Sequence, residues 1–147
     1  MDHIDIKMLH ILQDDGRITI SELSQELALS RPSVTERLYR LQEKKIIEKF
    51  SAMVSPEAVG RNLLVMIELN ELKQSPVEIE KVLAKDPGIL ECHRATGHVH
   101  YYVKAAFRGM DDLQDLVEKL LPYCNTRTSI LLKTPIKKDV ILPIEET

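Results

Sequence analysis

The stretch "LSRPSVTERLYRLQEKK" (residues 29–45) decides how the first third of the chain folds. At 100° per residue, Val34, Leu38 and Leu41 lie close to one line, which predicts an amphipathic helix with one apolar seam. Ser30 is a suitable N-cap, and Pro32 fits the first turn because its missing N–H has no intrahelical partner there. The side opposite the seam carries Ser33, Glu36, Tyr39, Arg40 and Glu43.

The charge of this region differs from that of the whole chain. Residues 31–49 hold six Lys or Arg and three Glu, a net charge of +3, within a chain of 147 residues whose net charge is -3. A basic helix of this kind can neutralise DNA phosphates. A solvated helix face with intrahelical ion pairs, such as Glu36 with Arg40, accounts for the same charges. Periodicity and charge alone leave both interpretations open.

Two shorter helices are predicted before this one. Ile4 and Met8 recur at helical spacing behind the N-cap candidate Asp2, and Thr19 with Glu22 has the spacing of a capping box. Three short helices with a tight turn before the third are typical of a helix-turn-helix DNA reader. The next stretch, "IIEKFSAMVS" (46–55), predicts a strand or short ribbon, so the expected domain is a winged helix-turn-helix.

A DNA reader makes specific demands on its third helix, whose N-terminal side chains must reach base edges while cations further along neutralise phosphates. Ser33 and Glu36, with Arg31 at the N-terminal edge, fit the first role. The cations that fit the second role are Arg37, Arg40, Lys44, Lys45 and Lys49.

The second half of the chain has a different periodicity. It predicts a strand over 63–72, a helix over 75–88, two strands over 89–96 and 98–107 around a turn at Gly97, a helix over 110–123 and a strand over 126–136. This βαββαβ order is that of a ferredoxin-like domain. The predicted fold class is α+β, with a winged helix-turn-helix domain over 1–54, a linker over 55–62 and the βαββαβ domain over 63–147.

Several classes of function are not supported by the residues. The sequence has no nucleophile motif, no paired catalytic carboxylates and no phosphate loop, so we expect neither an enzyme nor a cofactor. Cys92 and Cys124 form no CxxC pair and are expected to be reduced thiols. His98 and His100, near Cys92 and His93, raise the alternative of a zinc site, but their spacing favours surface histidines and no metal is expected. Without a signal peptide or membrane span, we expect a cytoplasmic protein.

The first domain resembles the N-terminal domain of the Lrp/AsnC (feast/famine) family of prokaryotic transcription regulators. The matching parts are "DIKMLHILQDDGR", "ELSQELALS", "VTERLYRLQEKKII" and "SPEAVG", and "RATGHVHYYVKA" stands where the family has its Thr-Gly effector loop. The resemblance implies binding to double-stranded DNA as a homodimer, assembly into octamers and response to an amino-acid effector. By position it implies recognition-helix roles for Arg31, Ser33, Thr35, Glu36, Arg37 and Arg40, and loop roles for Thr96 and Gly97.

The sequence departs from the family pattern directly after the Thr-Gly pair. Many amino-acid-responsive members carry acidic residues there, suited to an α-amino group, whereas this chain has His98 and His100. A neutral imidazole is a poor partner for an ammonium group. Two alternatives therefore stay open: a regulator modulated by an amino acid or another small effector, and an architectural DNA-wrapping protein of the same family without one.

Overall fold

The computed structural model describes residues 1–138, 140–141 and 143–144, which fold as two units. The first unit contains α1 (His3–Asp14), α2 (Ile20–Leu27) and α3 (Arg31–Glu43). The second contains β1 (Leu63–Asn70), α4 (Pro76–Ala84), β2 (Ile89–Arg94), β3 (Tyr101–Phe107), α5 (Met110–Leu120) and β4 (Asn125–Ile130). A short 3-10 turn, Glu57–Val59, precedes β1. None of the helices within the described residues is long and apolar enough to cross a membrane.

Side chains fix where the first helices begin. The Glu22 N–H donates to Thr19 Oγ1 at 3.2 Å, and the Thr19 N–H donates to Glu22 Oε2 at 2.8 Å, so the predicted capping box is confirmed. Asp2 caps α1 in the same way, and its partner in a second capping box is Asp5. Each box satisfies backbone N–H groups that the first turn of a helix leaves without intrahelical acceptors.

A tight turn joins α2 to α3. Ala28 caps α2 in the left-handed conformation with a φ of 53°, and the Leu29 N–H donates back to the carbonyl of Ser24 at 3.0 Å. Ser30 then caps α3, as predicted. The predicted seam of α3 is also confirmed, because Val34 and Leu41 are buried in the helical core. That core consists of Met8, Leu9, Leu23, Leu27, Val34 and Leu41.

The strand predicted over 46–55 is wrong. The structure has a turn and then irregular backbone there, and Phe50, Met53 and Val54 are exposed. β-Branched and apolar composition favours a strand only when a neighbouring strand pairs with its backbone groups. No described segment of the first unit pairs with this one, so the predicted wing does not form within the described part of a single chain.

The last predicted strand, over 126–136, is too long at its C-terminal end. β4 ends at Ile130 rather than at residue 136, and the described residues from Ile136 onward group with the helical unit. Two hydrogen bonds explain this: the Gln13 side-chain amide donates to the Ile141 carbonyl at 3.0 Å, and its oxygen accepts from the Ile141 N–H at 2.8 Å. A side chain thus pairs with the backbone in the manner of a neighbouring strand. The domain bounds 1–54, 55–62 and 63–147 stay a prediction.

The second unit is one antiparallel sheet with the strand order β2-β3-β1-β4. The element order βαββαβ and this strand order confirm the predicted ferredoxin-like architecture. Alternate residues of β1 and β3 are buried against α4 and α5, which cover one face of the sheet. The core of this unit is aliphatic apart from Tyr101, Phe107 and Cys124.

Gly88, in the turn before β2, allows the closest approach in this core. A Cβ at this position would lie 2.3 Å from the ring of Phe107, which is buried. The Gly88 carbonyl also accepts from the Ala106 N–H at 2.8 Å, so the backbone cannot move away without losing a hydrogen bond. This contact requires glycine for reasons of space rather than conformation.

We expect Gly88→Ala to lower the free energy of unfolding of the second unit by about 1–3 kcal/mol, because the added methyl group must displace the buried ring of Phe107. Urea unfolding followed by circular dichroism measures the change. Gly109→Ser is the matched control in the same unit, since a Cβ there meets nothing within 4 Å and serine is a good N-cap for α5. Equal stability of the two variants would contradict the packing argument.

Candidate nucleic-acid interface and effector loop

The outward side of α3 is exposed along its whole length. Its described side chains include Arg31, Thr35 and Glu36 in the first half and Tyr39 at the centre, which is 65% exposed. The seam of Val34 and Leu41 holds the opposite side against the core. The helix is therefore fixed on one side and free on the other, as a helix that enters a DNA groove must be.

A buried carboxylate connects α3 to α1. Asp5 is only 4% exposed, and its Oδ1 accepts from Arg37 Nη1 at 2.6 Å. The same nitrogen donates to Asp2 Oδ2 at 2.7 Å, and Arg40 Nη2 lies 3.4 Å from both Asp5 oxygens. We call Asp2, Asp5, Arg37 and Arg40 the α1–α3 cluster. A buried carboxylate is costly unless it is paired, and here two guanidinium groups provide the pairing.

The pKa values in the α1–α3 cluster follow from these contacts. The Asp5 N–H and then the Arg37 guanidinium lower the pKa of Asp2 to about 2. Hydrogen bonds to Asp2 and then to Asp5 raise the pKa of Arg37 above its already high value. Asp2 and Arg37 therefore keep their charges at neutral pH.

The structure divides the seven side chains predicted to bind DNA into two sets. Arg37 and Arg40 point toward α1, and Ser33 forms part of the N-cap, with its Oγ 2.9 Å from that of Ser30. Four remain on exposed parts of the helix: Arg31, Thr35, Glu36 and the C-cap Lys44. The geometry brings these four onto an accessible surface, and their contact with DNA stays a prediction.

The ion pair between Glu36 and Arg40, the alternative explanation for the charges of α3, does not form. Arg40 turns to Asp5 instead, because a buried carboxylate is a stronger partner than a solvated one.

Tyr39, which the predicted set of DNA-binding residues omits, is the most prominent apolar side chain on the exposed face. Its position opposite the seam was visible in the helical spacing, but its chemistry gave no reason to choose it.

Free cations stand at both ends of α3. The side chains of Arg31, Lys44, Lys45 and Lys49 are exposed and form no hydrogen bond or ion pair with the described part of the chain. Lys45 adopts a φ of 54°, which ends the helix and turns the backbone after Lys44. These four cations are thus available to a polyanion, whereas Arg37 is not.

The loop between β2 and β3 contains the four residues predicted to bind an effector, Thr96, Gly97, His98 and His100. All four are exposed, and Gly97 has a φ of 103°, which confirms the predicted turn. The Ala95 N–H donates to the His100 carbonyl at 2.9 Å, and the His100 N–H donates to the Leu69 carbonyl at 2.8 Å. These bonds fix the base of the loop and leave its side chains accessible.

The alternative of a zinc site finds no support in this geometry. Cys92 pairs with Val103 and His93 with Tyr102, so strand alternation places the thiol and the imidazole on opposite faces of the sheet. His93 Nε2 lies 3.2 Å from Glu91 Oε2 instead. Among the residues that the structure describes, no group of three or more His, Cys, Asp or Glu side chains could hold a metal ion.

Comparisons with known proteins cover nearly the whole chain. Residues 1–42 match the model of the AsnC-type helix-turn-helix domain, and residues 62–141 match that of the Lrp/AsnC ligand binding domain. The HTH-type transcriptional regulator FL11 of Pyrococcus furiosus is 34% identical over 99% of this chain and 97% of its own length.

Two solved structures extend this similarity to the fold. LrpC of Bacillus subtilis superposes with a TM-score of 0.89 at 26% identity, covering 94% of this chain and 99% of its own. A transcriptional regulator of Neisseria meningitidis in complex with L-Met superposes with a TM-score of 0.86 at 32% identity, covering 97% and 96%.

We expect Asp5→Asn to lower the free energy of unfolding of the helical unit by about 2 kcal/mol. The loss is smaller than that for a completely broken buried pair because Arg37 keeps its bond to Asp2. Thermal and urea unfolding of the helical signal measure it.

Asp14→Asn is the matched control on the same helix, because Asp14 forms only an exposed contact with His10, and such contacts contribute little. An equal effect of the two substitutions would show that the α1–α3 cluster does not stabilise the helical unit.

Proposed function

The chain belongs to the Lrp/AsnC family of transcriptional regulators, and from this premise we propose that it binds double-stranded DNA through α3. It is a regulator of transcription and not an enzyme. The observation that carries the proposal is the orientation of α3, whose seam is buried while its outward side is exposed and flanked by unpaired cations.

The dimensions of DNA agree with this arrangement. The major groove admits one α-helix, with the N-terminal residues of that helix against base edges. Thr35 and Glu36 then face the bases. Arg31 at one end of α3, and Lys44, Lys45 and Lys49 at the other, lie where cations neutralise phosphates.

We further propose that the protein acts as a homodimer and assembles into octamers. Two α3 helices related by a twofold axis match two half-sites about one turn of DNA apart. The face of the sheet opposite α4 and α5 carries the half-buried side chains of Leu64 and Met66 beside Tyr102, a surface suited to a second copy of the chain. We place the regulator in the cytoplasm, where prokaryotic chromosomal DNA lies.

For the small-molecule effector we propose an amino acid bound at the loop of Thr96, Gly97, His98 and His100. The support is the accessibility of this loop and the similarity to the Neisseria meningitidis regulator, whose structure contains L-Met. The two histidines favour the second candidate, an architectural DNA-wrapping protein without an effector, because neutral imidazoles bind an α-ammonium group weakly.

We expect Lys44→Ala to weaken binding to all DNA sequences alike and to reduce the slope of log K against log salt by about one, because one phosphate contact is lost. Fluorescence anisotropy with DNA from the protein's own promoter region, at several salt concentrations, measures both.

Lys85→Ala removes the same charge from an exposed position in the second unit and serves as the control. Wild-type protein with no salt-dependent DNA binding would refute the proposed function.

His100→Asp tests the effector proposal. The introduced carboxylate gives an α-ammonium group a charge-assisted acceptor, so we expect affinity for L-methionine to increase about tenfold. Isothermal titration calorimetry measures this change, with D-methionine as the stereochemical control. Absence of binding by both the wild type and the variant would favour the architectural alternative.

A further inference from the structure

Glu36 is an exposed carboxylate without a partner on the side of α3 that faces away from the core. Arg40, which lies one helical turn further along α3, is directed to Asp5 at 3.4 Å instead. Within the described residues, the Glu36 side chain accepts no hydrogen bond and forms no ion pair. The α1–α3 cluster therefore leaves a free negative charge on this face.

An unpaired carboxylate is unfavourable on a surface that approaches a polyanion. Phosphate neutralisation supplies most of the affinity for DNA of any sequence, and a negative charge in the interface opposes it. Arg37 could pair with Glu36 only by leaving Asp2 and Asp5. The buried carboxylate of Asp5 would then lose its shortest ion pair. If this face of α3 approaches DNA, the Glu36 carboxylate lowers the affinity unless a hydrogen-bond donor on a base contacts it.

Few atoms in the major groove can donate to a carboxylate. Guanine presents N7 and O6, and thymine presents O4, all of them acceptors that repel it. Adenine donates from N6, but its N7 acceptor lies beside that group. Cytosine donates from N4 without an adjacent acceptor on the same base, and carboxylates are known to accept from this amine.

We propose that Glu36 reads a cytosine in the major groove and so determines one base of each half-site. This inference rests on the proposed function, since it requires α3 to lie in that groove. Glu36 is the sixth residue of α3, in the N-terminal half that contacts base edges. The Glu36 carboxylate contributes to specificity in two ways. It accepts a hydrogen bond from cytosine at the correct site, and it repels the acceptor atoms of guanine and thymine at other sites.

The experiment is selection of binding sites from a randomised double-stranded DNA library by wild-type protein and by Glu36→Gln. Glutamine has the same shape and both donates and accepts, which suits N7 and N6 of adenine. We expect the wild-type motif to contain one cytosine per half-site that the variant replaces with adenine. On the wild-type motif, a change of that cytosine should reduce wild-type affinity about tenfold, and the variant should lose this preference.

Glu43→Gln is the matched control. Glu43 lies on the same side of α3, about 20° around the helix and roughly 10 Å further toward its C-terminal end, and it is also exposed without a partner among the described residues. Both substitutions remove one negative charge, so both should raise affinity for random DNA. Only Glu36→Gln should change the selected motif.

The results separate this inference from the proposed function. A wild-type motif that Glu36→Gln leaves unchanged at every base would refute the reading of cytosine while leaving DNA recognition by α3 intact. The same conclusion follows if both variants change the motif identically. Wild-type protein that selects no motif and shows no salt-dependent binding would overturn both.

Discussion

The burial of one carboxylate, that of Asp5, constrains the helical unit more than any other polar group. Its charge must be paired, and the pairing draws Arg37 fully and Arg40 partly toward α1. Two consequences follow together. The third helix is held to the first by an ionic contact beside the apolar seam, and two of the cations of α3, Arg37 and Arg40, are directed toward α1. The charges that remain on the exposed face of α3 therefore depend on the ion pairs that α3 forms with α1.

The second unit obeys a different constraint, that of dense packing between the sheet and its two helices. Val65, Ile67 and Leu69 of β1 are fully buried, and Gly88 lies against the ring of Phe107 with no space for a side chain. Such a core holds the β2–β3 hairpin rigidly while the loop at its tip stays accessible. The two units thus differ in what determines their surfaces. Ion pairs set the charges on the helical unit, and the packed sheet of the second unit holds a loop that exposes two imidazoles.

Local patterns in the sequence were sufficient to predict the elements whose causes are themselves local. The capping box of Thr19 and Glu22, the seam of α3 and the βαββαβ order depend on residues a few positions apart. The pairing of Asp5 with Arg37 joins residues 32 positions apart, so helical spacing gave no indication of it. Contact between α3 and DNA stays a prediction, and the helical spacing did not show that Arg37 and Arg40 turn toward α1. Residues 46–55 have the composition of a strand, yet a strand also needs a neighbour, which composition cannot supply.

The pairing between Gln13 and Ile141 has a consequence for how the protein is made. These residues are separated by 128 positions, so α1 leaves the ribosome long before its backbone partner has been synthesised. The helical core from Met8 to Leu41 includes none of the described residues of the C-terminal segment, so the three helices can pack during translation before that segment is made. The pairing cannot form until residue 141 has been translated. In a chain that ends before that residue, the Gln13 amide lacks this backbone partner.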